Sequence, residues 1–460
     1  MRVLLIRPDS PYLLSFPPVG LGCIAHALRQ ARNDAIQILD IHLLKPSAIE
    51  LAARIRDFAP HVVGITSMDC GRAALPALTA LVKREAPAAK VVLGGPMVSG
   101  IPHLALSDQN VDVAVVGEGE VTVVELFNAL DGGGDLSAVD GLVFRQDGKK
   151  VQTPPRKPLE DMDQVHMAWD LVDPFAYFSK YRAGVTRVRR DFRTLPLITS
   201  RGCPHGCIFC HSIFGKKFRA MSPDAVMAEI HLLRERFGVR QLEIMDDSFL
   251  LDRGRAEEIL DRIAREAPGL SLSFPVGLRI DQMDEDILSR MAAAGAFYLS
   301  FPVESASPRI QKVIRKNLDL SRVHPMIRAA LKKGFQINGF FILGFPGETY
   351  EEMMQTVDFA CKTDLHTAHF FYLNPYPGTE AHRMSGLPEN TAFAGEFHQL
   401  PPNVSAATDK ELARAARLGY RKFYLNPARL ARAAWKFPKS MNLFPILTTL
   451  VKILLADDHL

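Results

Sequence analysis

Short apolar runs recur through the first part of the chain, each followed by a polar turn and then a stretch of helical period. Val3 to Ile6, Ile36 to Leu39, Val62 to Thr66, Val91 to Leu93 and Val113 to Val116 read as buried strands. From Gly20 to Arg29, the apolar residues Leu21, Ile24, Ala25 and Leu28 fall at i, i+3, i+4 and i+7, the stripe of a helix that covers a sheet. Strands alternating with helices predict an α/β domain over residues 1–135 with a doubly wound, parallel, five-stranded sheet.

The pattern degrades over 136–193. Asp131-Gly132-Gly133-Gly134-Asp135 is a turn cluster, Gly141 to Val151 reads as a small hairpin, and Pro154, Pro155 and Pro158 interrupt regular structure. This stretch is expected to be a linker. Alternation resumes over 194–390, with strands at Leu195 to Thr199, Gln241 to Met245, Ser271 to Val276, Tyr298 to Phe301, Ile337 to Leu343 and Ala368 to Leu373. Six strand–helix units predict an incomplete (β/α)6 barrel.

Residues 391–460 form a helical, basic extension, with Arg414, Arg417, Arg421, Lys422, Arg429, Arg432, Lys436 and Lys439 opposed mainly by Glu411. The apolar stretch Phe444 to Ala456 contains Lys452 and is shorter than the ~20 residues that cross a bilayer. A basic helix beside an apolar one can lie on a membrane surface, and it can equally dock on the barrel. Both readings stand at this stage.

Length and composition narrow the class. A chain of 460 residues, 47% hydrophobic, supports more than one core. Lys and Arg total 55 against 51 for Asp and Glu, a balance unlike that of a surface built to hold nucleic acid, and none is expected as a partner. Met1-Arg2-Val3-Leu4-Leu5-Ile6 runs into a proline-containing loop without the features of a secretory signal, so the expected location is the cytoplasm. Peripheral contact with the inner membrane surface would come through the C-terminal region. Of the 6 cysteines, Cys203, Cys207 and Cys210 crowd together while Cys23, Cys70 and Cys361 lie far apart. That is a ligand pattern rather than a disulfide framework, and the scattered three read as small buried hydrophobes.

The loop Ser200-Arg201-Gly202-Cys203-Pro204-His205-Gly206-Cys207-Ile208-Phe209-Cys210 follows a predicted strand with spacing C-x3-C-x2-C. Three thiolates hold three corners of a four-iron cluster and leave one iron open to a small molecule. A structural zinc site or an electron-transfer cluster would normally take a fourth protein ligand; no fourth cysteine is near, although His205 or His211 could complete a zinc site.

With Phe209 just before the third cysteine, the loop resembles the signature of the radical S-adenosylmethionine (SAM) superfamily. The resemblance implies a 4Fe–4S cluster on Cys203, Cys207 and Cys210, with Phe209 seating the adenine. The methionyl amine and carboxylate would chelate the open iron, and the reduced cluster would cleave SAM to methionine and a 5′-deoxyadenosyl radical.

Further motifs close the later strands, where barrel enzymes place their chemistry. They are Asp246-Asp247-Ser248-Phe249, then Arg279 and Asp281, then Phe301-Pro302-Val303-Glu304-Ser305-Ala306. The last is similar to the family's G-x-E-S-G with both outer glycines replaced, and points to Glu304 and Ser305. Gly344-Phe345-Pro346-Gly347-Glu348-Thr349 and Asn374-Pro375-Tyr376-Pro377-Gly378-Thr379 follow. Acids and an arginine at strand ends suit a zwitterionic ligand, with Glu304 ranked first, Asp247 and Arg279 next and Glu348 last. Thr349 is a reasonable N-cap, so Glu348 could simply belong to a helix start.

In the N-terminal domain no G-x-G-x-x-G follows the first strand, which disfavours a dinucleotide. Instead Phe16-Pro17-Pro18-Val19-Gly20-Leu21-Gly22, Gly94-Gly95-Pro96 and Val116-Gly117-Glu118-Gly119-Glu120 punctuate strand ends and a helix start. In that order ahead of the cysteine loop, they resemble the flavodoxin-like, cobalamin-binding domains of cobalamin-dependent radical enzymes. The resemblance implies contacts to cobalamin from Pro18, Gly20, Thr66, Ser67, Gly94, Gly95, Gly117 and Glu118. The classical corrinoid domain carries D-x-H-x-x-G after its first strand. Here Asp40-Ile41-His42 follows the second and Lys45 stands where the glycine should be. His42 therefore reads as a surface or loop residue, and bound cobalamin is expected to lack a histidine lower ligand from this domain. Retention of the fold without the cofactor is the alternative.

Together the two resemblances imply a methyltransferase acting on an unactivated carbon of a small or lipid-like substrate, through a 5′-deoxyadenosyl radical and methylcobalamin. A low-potential donor such as flavodoxin or ferredoxin would feed the cluster. Two alternatives remain. One is cyclisation, ring contraction or oxidation in tetrapyrrole or natural-product synthesis, as in the anaerobic cyclase of bacteriochlorophyll synthesis; the other is a non-enzymatic corrinoid carrier or electron-transfer protein. The tail Tyr420-Arg421-Lys422-Phe423-Tyr424-Leu425-Asn426-Pro427 also resembles that of relatives which modify lipids and tetrapyrroles.

Overall fold

Strands β1 (Arg2–Arg7), β2 (Ala35–Asp40), β3 (Val62–Thr66), β4 (Lys90–Gly94) and β5 (Val113–Val115) pair in parallel, in the order β2-β1-β3-β4-β5. The direction of winding reverses at β1 and β3, and the carboxyl ends of such strands are where doubly wound sheets hold ligands. The computed structural model describes residues 1–9, 16–180, 188–211, 213–391, 393, 399–427 and 429. It divides into two compact units. The first comprises Met1–Tyr181, His211–Ala220 and Leu387–Gly395; the second comprises Arg182–Cys210, Met221–Gly386 and Glu396–Leu460.

Both faces of the first sheet are covered, which explains why its strands are apolar runs rather than alternating ones. Leu4 and Ile6 enter one apolar cluster with Val63, Ile65 and Leu93. Val3 and Leu5 enter the other with Leu21, Ala25 and Leu28 of the helix Val19–Ala31. The expected hairpin is present but is not linker. Its strands β6 (Leu142–Gln146) and β7 (Lys149–Gln152) add antiparallel to β5, giving one seven-stranded sheet. Asp147 and Gly148 both have positive φ, 50° and 74°, the backbone of a two-residue type I′ turn. Pairing with β6 satisfies the outer edge of β5, which would otherwise present unpaired backbone groups.

In the second unit, β8 (Thr194–Leu197), β9 (Gln241–Ile244), β10 (Ser271–Phe274), β11 (Ala296–Glu304), β12 (Gln336–Leu343) and β13 (Thr367–Tyr372) form a six-stranded parallel sheet in sequential order. β8 and β13 stand at its two ends, as an incomplete barrel requires. Several of its helices begin at side-chain caps: Ser222, Asp252, Asp284 and Thr349 each accept a backbone N–H in the first turn.

The first helix of the basic C-terminal region, Asp409–Tyr424, packs on β13. Phe370 is 1% exposed, and its ring meets Phe341, Tyr420 and Phe423. The Phe370 amide also donates to the Tyr420 hydroxyl at 3.1 Å. The docked reading thus holds for this helix, while Phe444 to Ala456, on which the membrane reading turned, lies outside the described residues. Among the described residues no helix is long and apolar enough to cross a membrane.

Candidate active site

The cysteine loop is fixed at both ends. Before it, the fully buried Asp246 carboxylate accepts from the Thr199 amide, the Thr199 hydroxyl and the Ser200 hydroxyl, each at 2.6 Å. Burial pushes the Asp246 pKa up, opposed by these hydrogen bonds. Arg255 donates to the carbonyls of Thr199 and Met221, tying the same strand end to the chain beyond the loop. Towards the far end of the loop, Ile208 is held on both sides of its backbone. Its amide donates to Ile314 O at 3.2 Å, and its carbonyl accepts from the Ala381 amide at 2.9 Å. Its side chain is buried among Ile310, Ile314, Phe345, Leu373 and Ala381.

With Ile208 as the anchor, Cys203 and Cys207 are left half-buried and Cys210 exposed. The Cys210 amide turns back to Cys207 O, and the Ser248 hydroxyl lies 3.4 Å from Cys203 Sγ. Burial pushes the Cys207 thiol up, against the pull of the Lys316 and Arg279 cations. Among the described residues no three His, Cys, Asp or Glu side chains group as a metal-ion site. A cluster asks for something different: three thiolates spaced around a cuboid. Phe209 is half-buried with its ring 5.4 Å from that of Phe345.

Other expected residues fall at the same strand ends, with partners the sequence did not reveal. Glu304 is 6% exposed and accepts from Lys316 Nζ at 3.0 Å, and Lys316 is itself 6% exposed. Glu304 has φ +66°, and Arg315 and Asn317, flanking Lys316, have φ +55° and +50°. Left-handed non-glycine residues cost about 1–3 kcal/mol each and persist where the surroundings over-determine them. Gln311 does this here. Its amide group donates to Val303 O and Ser305 O, and its side-chain oxygen accepts from the Leu318 amide.

Arg279 makes two hydrogen bonds to Asp281, at 3.0 and 2.6 Å, and two to Lys316 O. Its guanidinium is therefore a brace for the Lys316 loop rather than a free grip for a ligand carboxylate. Ser305 is fully buried, with its hydroxyl 3.3 Å from that of Thr356. Asp247 is exposed and accepts from the Gly202 amide, beside the loop.

Glu348, ranked last from the sequence, is 0% exposed. One oxygen accepts from the Gly344 and Phe345 amides at 2.8 and 3.0 Å, and the other has no hydrogen-bond partner among the described residues. Burial pushes its pKa up to about 8. The neighbouring Thr349 is indeed the N-cap, in a capping box with Glu352.

In the first unit, the ends of β3, β4 and β5 bring together Thr66, Ser67, Gly94, Gly95 and Gly117. Thr66 pairs with Gly94 across the sheet, and the Ser67 amide donates to Gly94 O. Gly95 has φ +97°, and a Cβ there would lie 2.6 Å from Thr66 Oγ1 and 2.9 Å from Ser67 O. Gly117, at φ +81° with its amide on Ser99 Oγ, faces open space, as does the exposed Gly20; Pro18 is buried just before it. The Ser67 hydroxyl donates to Met68 O.

Two expectations need correction here. Glu118 is taken up by Arg219, in an ion pair with side chains 6% and 2% exposed, so its carboxylate is committed within the protein. His42 is not at the surface. It is 8% exposed on the short helix Ile41–Leu44, and its Nδ1 lies 2.9 Å from Asp9. Of the scattered cysteines, Cys23 is buried and Cys361 half-buried.

The Radical SAM superfamily matches residues 197–360, and the B12 binding domain matches residues 12–127. An uncharacterized methyltransferase of Pyrococcus horikoshii is 31% identical over 448 residues, covering 94% of this chain and 94% of the relative. This chain belongs to the cobalamin-dependent radical SAM enzymes. The cytidylyl-2-hydroxyethylphosphonate methyltransferase of Streptomyces wedmorensis is 30% identical, over 89% of this chain and 87% of its own. Among solved structures, the radical SAM methyltransferase TsrM of Kitasatospora setae, with cobalamin and a 4Fe–4S cluster bound, superposes with TM-score 0.68. It is 20% identical over 84% of this chain and 75% of its own, a likeness that speaks for the fold alone.

The cofactors of this radical SAM enzyme are a 4Fe–4S cluster, SAM and cobalamin, and the residues present fit them. Three thiols stand on an anchored loop, with buried acid and ammonium groups at the adjoining strand ends. Open space in front of Gly20 and Gly117 provides the kind of cradle a ring and its tail require. Lys316, which the sequence did not single out, and Asp246, quoted there within its motif but given no role, are the additions the structure makes to this site.

Two outcomes follow. Lys316→Met leaves the Glu304 carboxylate buried without its cation and should cost roughly 3–5 kcal/mol in urea unfolding. The Lys316→Met/Glu304→Leu double variant should recover most of that loss. Folded Glu348 holds its proton to about pH 8, whereas an unfolded carboxyl loses it near 4.5. Between those values the folded chain binds more protons, so this group makes stability fall as pH rises. Glu348→Gln should therefore flatten the pH dependence of Tm, matching the parent near pH 5 and exceeding it at pH 8.

Proposed function

We propose that this radical SAM enzyme is a methyltransferase that acts on an unactivated carbon of a small or lipid-like substrate. The observation that carries the reading is the union, in one chain, of the anchored three-thiol loop and the glycine-lined crevice at the ends of β3, β4 and β5. The names of the two curated relatives and of the structural neighbour, all methyltransferases, support it.

When bound, the cluster, SAM and cobalamin supply reductive cleavage of the sulfonium and a methyl carrier. The chain's part is placement. Cys203, Cys207 and Cys210 hold three corners and leave the fourth iron to the methionyl group. Phe209, backed by Phe345, offers a flat apolar wall to the adenine. Glu304 presents an acid to the methionyl ammonium, with Lys316 fixing its position. In the first unit Thr66, Ser67, Gly94, Gly95 and Gly117 line the cobalamin crevice. Because no D-x-H-x-x-G loop follows β1, cobalamin takes no histidine ligand from this domain. A flavodoxin or ferredoxin would supply the low-potential electron.

Anaerobically reconstituted, cobalamin-loaded enzyme given methyl-labelled SAM and reductant should form S-adenosylhomocysteine and 5′-deoxyadenosine, with label in the substrate, and Cys207→Ala should form neither nucleoside. Formation of 5′-deoxyadenosine with a dehydrogenated or cyclised, unlabelled product would replace methyl transfer with the cyclase-type reading. Location in the cytoplasm, with the basic C-terminal region against the inner membrane surface, completes the proposal. Flotation of the holoenzyme with anionic liposomes, abolished at high salt, is the expected result, and a protein that stays in the soluble fraction would sink it.

A further inference from the structure

The anchor of the cysteine loop is supplied by two short helical segments that also carry a row of cations. The Ile208 amide donates to Ile314 O and the Ile208 carbonyl accepts from the Ala381 amide, so Arg315 and Glu380 each stand one residue from the anchor. Their side chains meet in a forked pair, Arg315 Nη1 on Glu380 Oε2 at 2.6 Å and Nη2 on Oε1 at 2.5 Å. Arg315 also lies over the loop itself. A Cβ built on Gly206, between the first two cluster cysteines, would stand 4.0 Å from Arg315 Cδ.

Helical spacing extends the row in both directions. Arg309, Lys312 and Arg315 follow at steps of three through the helix Pro308–Val313 and its end. Glu380, Arg383 and Met384 share a face of the helix Glu380–Ser385 at i, i+3 and i+4. The side chains of Arg309 and Arg315 are 53% and 57% exposed, Lys312 and Arg383 are exposed, and Met384 is 51% exposed. Arg309 pairs with Glu352 and Arg315 with Glu380, whereas Lys312 and Arg383 have no ion-pair partner among the described residues. Four cations thus meet two carboxylates beside the thiols. Stability does not account for Arg315. It holds φ +55°, a left-handed conformation that favours glycine or asparagine, and an exposed ion pair returns little in water.

We propose that this ridge is the docking surface for the protein that reduces the cluster, an acidic one-electron carrier of the flavodoxin class. Carboxylates on the carrier meet Lys312, Arg315 and Arg383, and Met384 supplies an apolar point of contact. One electron passes from the reduced carrier to the cluster beside Gly206, leaving the carrier oxidised by one electron and the cluster holding the electron that cleavage of SAM consumes. Complementary charge steers such encounters, and electron-transfer contacts are small and transient, which a ridge of this size suits. The inference deepens the proposed function and rests on it, because it takes the cysteine loop as the holder of the cluster.

Holoenzyme is titrated by calorimetry with oxidised flavodoxin at low ionic strength, and the affinity should fall steeply as salt is raised. Lys312→Glu/Arg383→Glu should weaken binding roughly tenfold or more and slow cluster reduction by reduced flavodoxin, with reduction by dithionite in high salt unchanged. Lys312→Gln/Arg383→Gln should show a smaller loss in the same direction. Lys332→Glu/Lys333→Glu makes an equal change of charge on exposed residues just before β12, at the opposite end of the parallel strands from the cysteine loop, and should bind as the parent does. Iron content and Tm certify that each variant is folded. No binding by the parent, unchanged affinity in Lys312→Glu/Arg383→Glu, or an equal loss in Lys332→Glu/Lys333→Glu overturns the proposal. Cleavage of SAM by the unaltered enzyme with dithionite is measured separately. Its failure removes the radical reading, whereas flavodoxin affinity then still reports on the ridge.

Discussion

The catalytic unit is organised around one buried carboxylate, Asp246. A parallel strand delivers its carboxyl end directly into the cysteine loop. Asp246 takes up the amide and hydroxyl of Thr199 and the hydroxyl of Ser200, so the strand's exit is held before the first thiol is reached. Buried acceptors in this position are expensive unless satisfied, and here three donors converge on two oxygens. The direction in which Cys203, Cys207 and Cys210 are presented depends on that junction and on the anchor at Ile208.

The neighbouring strand ends solve the same problem with internal partners. Lys316 closes on Glu304, Arg279 braces the carbonyl of Lys316, and Gln311 staples the strand end to the loop. A buried ion pair gives little net stability against an apolar alternative, because desolvation cancels much of the attraction. Its presence beside three left-handed residues marks a place where geometry has been kept at a cost in stability. Glu348 is another such case: a carboxyl that burial keeps protonated while its loop amides donate to one oxygen.

The cobalamin-type unit achieves its crevice by different means, through backbone rather than charge. Gly95 is required where β4 ends because any side chain would strike Thr66 and Ser67 at the end of β3. Two adjacent strand ends therefore stay close, while Gly20 and Gly117 leave room in front of them. The ion pair of Glu118 with Arg219 lies within this unit and involves the segment that follows the third cysteine, residues 211–220.

Much of this was written in the chain itself. Apolar runs at strand period and helical stripes gave the eleven parallel strands of both sheets, because burial on two faces leaves a strong local signature, and the cysteine spacing is a local property of one loop. What the sequence could not decide was the partner of each charged group. Arg279 looks like a ligand grip until Asp281 and Lys316 O occupy it, and Glu118 like a cofactor contact until Arg219 meets it. Asp246 and Asp247 are adjacent in sequence, and only the turn of the strand shows that the first is buried and the second exposed. The hairpin at Leu142–Gln152 was legible as a hairpin, but its membership of the first sheet was not, since edge pairing is a long-range choice. Local periodicity determines elements and motifs; burial and pairing between distant segments, which exist only once the chain has folded, decide what each polar group is for.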